Sequence, residues 1–311
     1  MTSNTRKPAR RSVTPAKAAP HAVLFLLCAA AAVAGLIATY VFFVRTFTGQ
    51  YIDESALDEA SRVQAVVGVQ VAGFLDALPV TSVIIAALVV LFVCLKRRRW
   101  KVAGIAVGAM AAANLCTEVL KFSLPDRPDR GIVTLGLNSL PSGHSTLAAS
   151  SAAAVFLVVS PRWRPLVGFA GGSYAIFSGV STVINGWHRP ADVVAAFLIV
   201  TFWTALAGLV ILRTGPGWNV WDGFGEHWAA SRAWPLLSLL AAVAAAGMAA
   251  VVLQQLTPAG GSRTSTTNYF WTGVALIAVC GYLLTVAGTL VFALQTRRHR
   301  PRRRSSRRHM H

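Results

Sequence analysis

The sequence has 311 residues, of which 55% are hydrophobic and 13% are charged, and its mean hydropathy is +0.57. Because soluble domains carry roughly 25% charged residues, this composition excludes an ordinary soluble globular protein. The net charge of +18 does not indicate a nucleic-acid-binding protein, because the basic residues lie in the two tails and in short connections next to apolar runs.

Eight apolar runs follow one another along the chain, and a membrane-spanning helix needs roughly 20 apolar residues. The runs cover about residues 22–44, 77–95, 102–122, 144–160, 166–185, 191–212, 235–255 and 270–295. The first run is too long for the apolar region of a cleaved signal peptide, so we interpret it as the first span. We therefore predict an all-α fold, a polytopic membrane helix bundle of about eight transmembrane helices.

The lysine and arginine residues outside these runs predict the orientation of the bundle. With eight spans, the four most basic segments lie on one side; they are residues 1–21, 96–101, 162–164 and 297–311. An excess of positive charge marks the cytoplasmic side of a membrane protein. We expect an integral protein of a bacterial cell membrane with both termini in the cytoplasm.

The segment between the first two spans is acidic and faces the extracytoplasmic side in this topology. Its acidic residues are Asp53, Glu54, Asp58, Glu59 and Asp76. The spacing of its apolar residues favours a helix at the membrane interface, and an ordinary connector is an equal alternative.

Three polar stretches interrupt the apolar pattern, at residues 121–130, 141–144 and 181–192. The first follows span three, the second begins span four, and the third joins spans five and six. All three therefore lie on the extracytoplasmic side in the predicted topology. We expect them to form one polar pocket at the boundary between lipid and water.

The residue types in these stretches are those that phosphoryl transfer requires. A neutral histidine can attack phosphorus, and a second histidine can protonate the leaving oxygen; His144 and His188 are the two candidates. Cations such as Lys121 and Arg127 can neutralise the phosphate oxygens. No cysteine–histidine or HExxH pattern indicates a metal site.

The local spacing of these residues predicts how two helix starts contribute to the pocket. Asp192 lies four residues after His188, with Pro190 suited to the first position of a helix, so the carboxylate can orient the imidazole. Ser142 can cap span four, and Gly143 allows close backbone approach of a phosphate to that helix N-terminus.

At these residues the sequence resembles the type 2 phosphatidic acid phosphatase (PAP2) superfamily, which also includes vanadium haloperoxidases. The matching motifs are Lys121 with Arg127-Pro128, then Pro141-Ser142-Gly143-His144, then Ser181 with His188 and Asp192. The resemblance implies a six-helix core and metal-independent, cofactor-free chemistry. It implies that His188 is the nucleophile, Asp192 its orienting partner and His144 the general acid, with Lys121, Arg127, Ser142 and Gly143 binding phosphate.

The sequence departs from the family pattern at two points. Five residues separate Lys121 from Arg127, where the family commonly has six. Thr182 stands where the third motif normally has a phosphate-binding arginine. We predict that Arg189 contributes to phosphate binding in its place, and Arg130 is the other candidate replacement.

The resemblance also predicts the domain organisation. Residues 22–213 would form the PAP2-like core, and residues 214–296 would add a cytoplasmic loop and two further spans. The tails at 1–21 and 297–311 would be basic and cytoplasmic.

We predict a membrane lipid phosphatase that acts on a phosphomonoester or pyrophosphate of a lipid through a phosphohistidine, on the extracytoplasmic face. Polyprenyl phosphates and pyrophosphates, phosphatidic acid and phosphatidylglycerol phosphate are the candidate substrates. Two alternatives remain at this point: a lipid phosphotransferase that uses the same site, and a non-catalytic lipid-binding member of the family, which Thr182 and the extra spans suggest. The expected partners are the lipid substrate and membrane lipids, without nucleic acid, and the sequence does not determine the oligomeric state.

Overall fold

A computed structural model describes residues 21–67, 69–132, 138–214, 218–221, 227–255 and 267–298. Within these residues the fold is all-α, apart from a two-residue parallel strand pair, Val220–Trp221 with Arg297–Arg298. The helices are α1 (His21–Thr39), α2 (Phe47–Val67), α3 (Val69–Arg97), α4 (Trp100–Ser123), α5 (Gly143–Val158), α6 (Arg164–Ile184), α7 (Pro190–Thr214), α8 (Ala233–Gln255) and α9 (Asn268–Leu294). A π-helical turn, Tyr40–Val44, follows α1, and 3-10 turns occupy Pro161–Trp163 and Trp228–Ala230.

All eight predicted apolar runs are helical, which confirms the fold class. Seven of these helices in the described part of the chain are long and apolar enough to cross a membrane, as in an integral membrane protein. The eighth, α5, has 16 residues, about 24 Å against a hydrocarbon thickness of about 30 Å. It packs against α3, α4, α6 and α7, so its Ala- and Ser-rich surface faces protein.

Helix α7 lies at the centre of the bundle. It is apolar around its whole circumference. Of its most apolar 18 residues, 67% are buried, the largest share among the candidate spans. A helix that is hydrophobic on all sides is stable only when other helices surround it. Its neighbours are α1, α4, α5 and α9, and its first residues therefore enter the pocket from a rigid element.

Helices α8 and α9 pack as a pair, and α9 joins this pair to the core through α2, α6 and α7. Small residues allow the close approach of α6 and α9: a Cβ atom at Gly168 would lie 2.7 Å from Thr289 Oγ1, and one at Gly172 would overlap Thr285. Close backbone approach at small residues is the usual way in which helices associate within lipid.

Helix α2 occupies the segment for which the sequence left a helix and a connector open. The structure shows a helix, and this helix packs against the bundle. Its Glu59 Oε2 accepts a hydrogen bond from the Phe270 N–H at the start of α9, at 2.9 Å. The Gln50 side chain donates to the Val44 and Pro128 carbonyls. Asp76 belongs to α3, which begins before the apolar run.

Candidate active site

The structure brings the three polar stretches together at one end of the bundle. Helix α4 ends there, α5 begins there, α6 ends there and α7 begins there. A backbone hydrogen bond from the Ser142 N–H to the Asp192 carbonyl, 3.0 Å long, joins the second stretch to the third. Side-chain contacts between Thr117 and Thr146 hold α4 antiparallel against α5 below this point.

His188 and Asp192 form the pair that the spacing predicts, but by a different local geometry. Helix α7 begins at Pro190, as predicted, so His188 lies outside the helix. Asp192, at the third position of α7, reaches back to accept the N–H of Arg189 at 3.0 Å, the acidic half of a capping box. The same oxygen, Oδ2, lies 3.3 Å from His188 Nδ1, and Asp192 is fully buried. With Nδ1 engaged, Nε2 of His188 is left for chemistry.

His144 lies opposite His188. The centroids of the two imidazole rings are 6.0 Å apart, at an interplanar angle of 58°, a gap comparable with the width of a phosphate group. The Trp187 ring packs beside His144, with centroids 5.0 Å apart. His144 follows directly on the first residue of α5, so the helix start determines its position.

Ser142 is the N-cap of α5, as the sequence predicts. Its hydroxyl oxygen accepts the Ser145 N–H, at 3.2 Å. The next residue, Gly143, has an open surface: a Cβ atom there would meet only Glu118 Oε1, at 3.5 Å, which is an ordinary contact. Packing within the protein therefore does not require a glycine at this helix N-terminus.

Arg127 is a buried cation with unused hydrogen-bonding capacity. Its Nη2 donates to Asp53 Oδ2 at 3.0 Å, and neither side chain is exposed to solvent. Its Nε and Nη1 groups are buried without a hydrogen-bond partner. A buried donor without a partner carries a desolvation cost, and an anionic ligand would remove this cost.

The other three predicted cations, Lys121, Arg189 and Arg130, differ in their exposure and in their hydrogen-bond partners. Lys121 lies in the last turn of α4, is exposed, and is within electrostatic reach of His144. The Arg189 guanidinium donates from Nε to Glu54 at 2.6 Å and from Nη1 to Ser139 at 2.7 Å. Arg130 donates to the Arg45 carbonyl on the exposed loop. Arg189 and Arg130 therefore both donate hydrogen bonds to other groups of the protein.

Thr182 is fully buried, and its hydroxyl donates to the Gly179 carbonyl at 2.8 Å. Its own carbonyl accepts the N–H groups of Trp187 and His188. The position where the family has an arginine therefore serves here to shape the loop that carries His188.

Sequence reasoning missed three polar residues of the site: Asp53 and Glu54 on α2, and Ser139. Asp53 accepts hydrogen bonds from Arg127 and from the Ala191 N–H at 3.0 Å. Burial, with a further contribution from the nearby Asp192 carboxylate, raises the pKa of Asp53 to about 7. The acidic character of this segment was visible in the sequence, but no motif connects it with partners that lie 74 to 138 positions away.

The described residues contain no group of three or more His, Cys, Asp or Glu side chains arranged to hold a metal ion. What the site does contain is two facing imidazoles, one of them oriented by a buried carboxylate. It also contains a capped helix N-terminus and a buried arginine with free donors. This arrangement suits binding of a tetrahedral oxyanion between the two histidines.

Comparison with known sequences agrees with this geometry. The PAP2 superfamily model matches residues 102–216, a stretch that contains every predicted motif residue, helices α5 to α7 and all but the first two residues of α4. The chain therefore contains a PAP2 superfamily domain, which confirms the resemblance. Asp53, Glu54 and helices α8 and α9 lie outside the matched residues.

Two curated relatives are named lipid A 1-phosphatase. The protein of Rhizobium johnstonii is 38% identical over 111 residues, which cover 33% of this chain and 43% of the relative. The protein of Rhizobium etli is 32% identical over 111 residues, which cover 33% of this chain and 46% of the relative. The match thus spans less than half the length of either relative. No solved structure matches the chain.

Proposed function

We propose that the protein is a membrane lipid phosphatase that hydrolyses a phosphomonoester or pyrophosphate group of a lipid. The observation that carries this proposal is the pair of imidazoles, with ring centroids 6.0 Å apart, of which His188 is oriented by Asp192. The PAP2 domain and the names of the two relatives support the same class of reaction.

The reaction proceeds in two steps. In the first, Nε2 of His188 attacks phosphorus, an N–P bond forms, and the bond from phosphorus to the lipid oxygen breaks as His144 gives that oxygen a proton. In the second, His144 takes a proton from water, the hydroxide attacks phosphorus, and the N–P bond breaks to release inorganic phosphate. Asp192 stabilises the positive charge that the imidazole of His188 carries in the phosphoenzyme.

The phosphate oxygens are neutralised by protein groups alone in this proposal. The free Nε and Nη1 donors of Arg127 and the N-terminal N–H groups of α5, next to Gly143, bind the oxygens, and Lys121 adds positive charge at the entrance. We accordingly propose that hydrolysis requires no metal ion. Arg189, which the sequence suggested for phosphate binding, has its donors directed to Glu54 and Ser139.

The substrate is proposed to keep its apolar part in the membrane while its phosphate enters the site at the extracytoplasmic face. The orientation rests on the basic cytoplasmic connections of the sequence. The names of the relatives add the 1-phosphate of lipid A to the candidates from the sequence, which are polyprenyl phosphates and pyrophosphates, phosphatidic acid and phosphatidylglycerol phosphate.

The test is phosphate release by the purified protein in detergent, with EDTA present, on this panel of lipids. We expect release from at least one lipid that persists in EDTA and is absent in His188→Ala. Dependence on added Mg²⁺ would contradict the metal-independent mechanism. Release no higher than that of the variant on every lipid would contradict the phosphatase, and the phosphotransferase and non-catalytic alternatives would then take precedence.

A further inference from the structure

A continuous series of polar contacts leads from α2 to the nucleophile. The Arg189 Nε donates to Glu54 at 2.6 Å, and its Nη1 donates to the Ser139 hydroxyl at 2.7 Å. The Ser139 hydroxyl in turn donates to Asp192 Oδ2 at 2.7 Å, which is also the oxygen that faces His188 Nδ1. We refer to these four residues, Glu54, Arg189, Ser139 and Asp192, as the Glu54–Asp192 series.

Arg189 and Asp192 are buried, and Ser139 and Glu54 are partly shielded from water. The Arg189 side chain is 3% exposed, the Glu54 side chain 18% and the Asp192 side chain 0%. Hydrogen bonds in such surroundings are stronger than in water, and the side chains that they join have little freedom to reorient. The three donors on Asp192 Oδ2, from Ser139, Arg189 and His188, hold this oxygen in one place.

We propose that the Glu54–Asp192 series is a positioning device for His188, with Ser139, Arg189 and Glu54 as positioning residues that act through Asp192. The proposal rests on the proposed function, because it concerns the nucleophile of that reaction. It assigns to Arg189 the orientation of Asp192, and it gives α2, which lies outside the PAP2 match, a part in the chemistry.

The proposal also implies that removal of different members of the series acts on His188 in opposite directions, because Ser139 contacts the Asp192 carboxylate and Glu54 contacts the Arg189 guanidinium. Loss of the Ser139 hydroxyl leaves Asp192 with more uncompensated negative charge, so a proton on His188 is held more strongly. Loss of the Glu54 charge leaves Arg189 without its carboxylate, so a proton on His188 is held less strongly. Among the described residues, the charged and titratable groups around the two histidines are Asp53 and Glu54 on α2, Asp76 on α3, Glu118 and Lys121 on α4, Arg127 in the loop that follows, His144 on α5, and Arg189 and Asp192 at the start of α7.

The test compares Ser139→Ala and Glu54→Gln in pH profiles of kcat/KM, whose acid limb reports protonation of the free nucleophile. We expect the acid limb to move to higher pH in Ser139→Ala and to lower pH in Glu54→Gln. Each shift should be about half a unit, less than the 1–3 units that a charge in direct contact produces. In both variants kcat should fall by about tenfold, the usual worth of a hydrogen bond to a charged group, with KM nearly unchanged.

Two matched controls separate positioning from structural damage. Glu59→Gln removes a carboxylate from the same helix that contacts Phe270 instead of Arg189, and it should leave the acid limb unchanged. Ser139→Thr keeps the hydroxyl and should restore most of kcat. Shifts of the same sign in Ser139→Ala and Glu54→Gln, or no shift in either, would overturn the proposal, because loss of folding alone lowers activity without moving the limb in opposite directions.

A second measurement keeps this test independent of the substrate. Diethyl pyrocarbonate acylates neutral imidazole, and mass spectrometry of the peptide that contains His188 follows its acylation as a function of pH without any turnover. The same opposite shifts are expected in the two variants. If no lipid is hydrolysed but the shifts are present, the proposed function fails and the positioning series stands. If hydrolysis is present and the shifts are absent, the series fails alone.

Discussion

His188 and His144 differ in what surrounds them, and this difference supports the roles proposed for them. His188 is 7% exposed and has a buried carboxylate on Nδ1, so its ring has one orientation and one free nitrogen. Within the described residues no carboxylate forms a hydrogen bond with His144, which lies at the helix start beside Trp187. A group that protonates a leaving oxygen needs reach and not a fixed tautomer, which fits His144.

The leaving group should distinguish the two histidines. In His144→Ala we expect a loss of roughly 10²–10⁴-fold on a lipid phosphate, the typical contribution of general acid catalysis. The loss, measured as kcat/KM so that it reports formation of the phosphoenzyme and not its hydrolysis, should be much smaller on 4-nitrophenyl phosphate, whose leaving oxygen needs no proton. His188→Ala should abolish release from both substrates, since the nucleophile is required in each case. Equal losses on the two substrates in His144→Ala would show that His144 is not the acid.

Gly143 offers a prediction in which activity and stability change in opposite directions. A Cβ atom at this position meets only an ordinary contact within the protein, so Gly143→Ala should raise the free energy of unfolding by about 0.4–1 kcal/mol through the unfolded chain. The methyl group would occupy the space that a phosphate needs, so kcat/KM should fall. Thermal unfolding and phosphate release measured on the same sample would check both, and unchanged activity would contradict phosphate binding at this helix start.

At the scale of elements, two helix pairs hold the site in place. The α5 and α7 starts are joined by the hydrogen bond between Ser142 and Asp192. Helix α9 holds α2 through the contact between Glu59 and Phe270, and α2 in turn holds Arg127 and Arg189 through Asp53 and Glu54. The two additional helices of the sequence therefore support the site indirectly, through α2.

The contact between α6 and α9 should be sensitive to a single methyl group. A Cβ atom at Gly172 would overlap the hydroxyl oxygen of Thr285 and come close to its Cβ and Cγ2 atoms. Overpacking of this kind typically costs about 1–3 kcal/mol. We expect Gly172→Ala to lower the thermal unfolding temperature in detergent. Gly288→Ala, on α9 where a Cβ atom meets nothing within 4 Å, is the matched control and should not lower it. Equal melting of the two variants would refute the close approach of these helices.

At the scale of the whole molecule, the free energy of unfolding should depend on the protonation of Asp53. Its pKa is raised to about 7 in the folded protein, so the folded state binds a proton that the unfolded chain has already lost. Asp53 therefore favours folding below its unfolded pKa, near 4, and this contribution is lost as the pH rises through about 7.

Asp53→Asn should remove this dependence. Between about pH 4 and pH 7 the free energy of unfolding of the wild-type protein should fall with rising pH, relative to the variant, by up to about 1.4 kcal/mol per pH unit. Denaturant unfolding in detergent across this range would measure it. Asp58→Asn, which removes an exposed carboxylate from the same helix, should run parallel to the wild type. If the free energy of unfolding of Asp53→Asn also changed with pH in parallel with that of the wild type, this result would contradict the raised pKa.

Much of this protein could be predicted from its sequence because the decisive interactions are local. A helix in lipid must satisfy its backbone internally and present about 20 apolar residues, so the spans are visible as continuous runs. The caps at Ser142 and the pairing of His188 with Asp192 each involve residues within four positions of one another. The order of the spans also predicted that the three polar stretches lie at the same end of the bundle, since consecutive spans alternate in direction.

Only the tertiary structure decided what surrounds the cations. The partners of Arg127 and Arg189 are Asp53 and Glu54, 74 and 135 residues away, and contacts between such distant residues leave no periodic pattern in the sequence. Side-chain direction decided the rest: the Arg189 donors are directed to Glu54 and Ser139, and Thr182 turns inward to its own helix. A sequence shows which charges are present, but packing determines which of them neutralise one another and which stay free for a ligand.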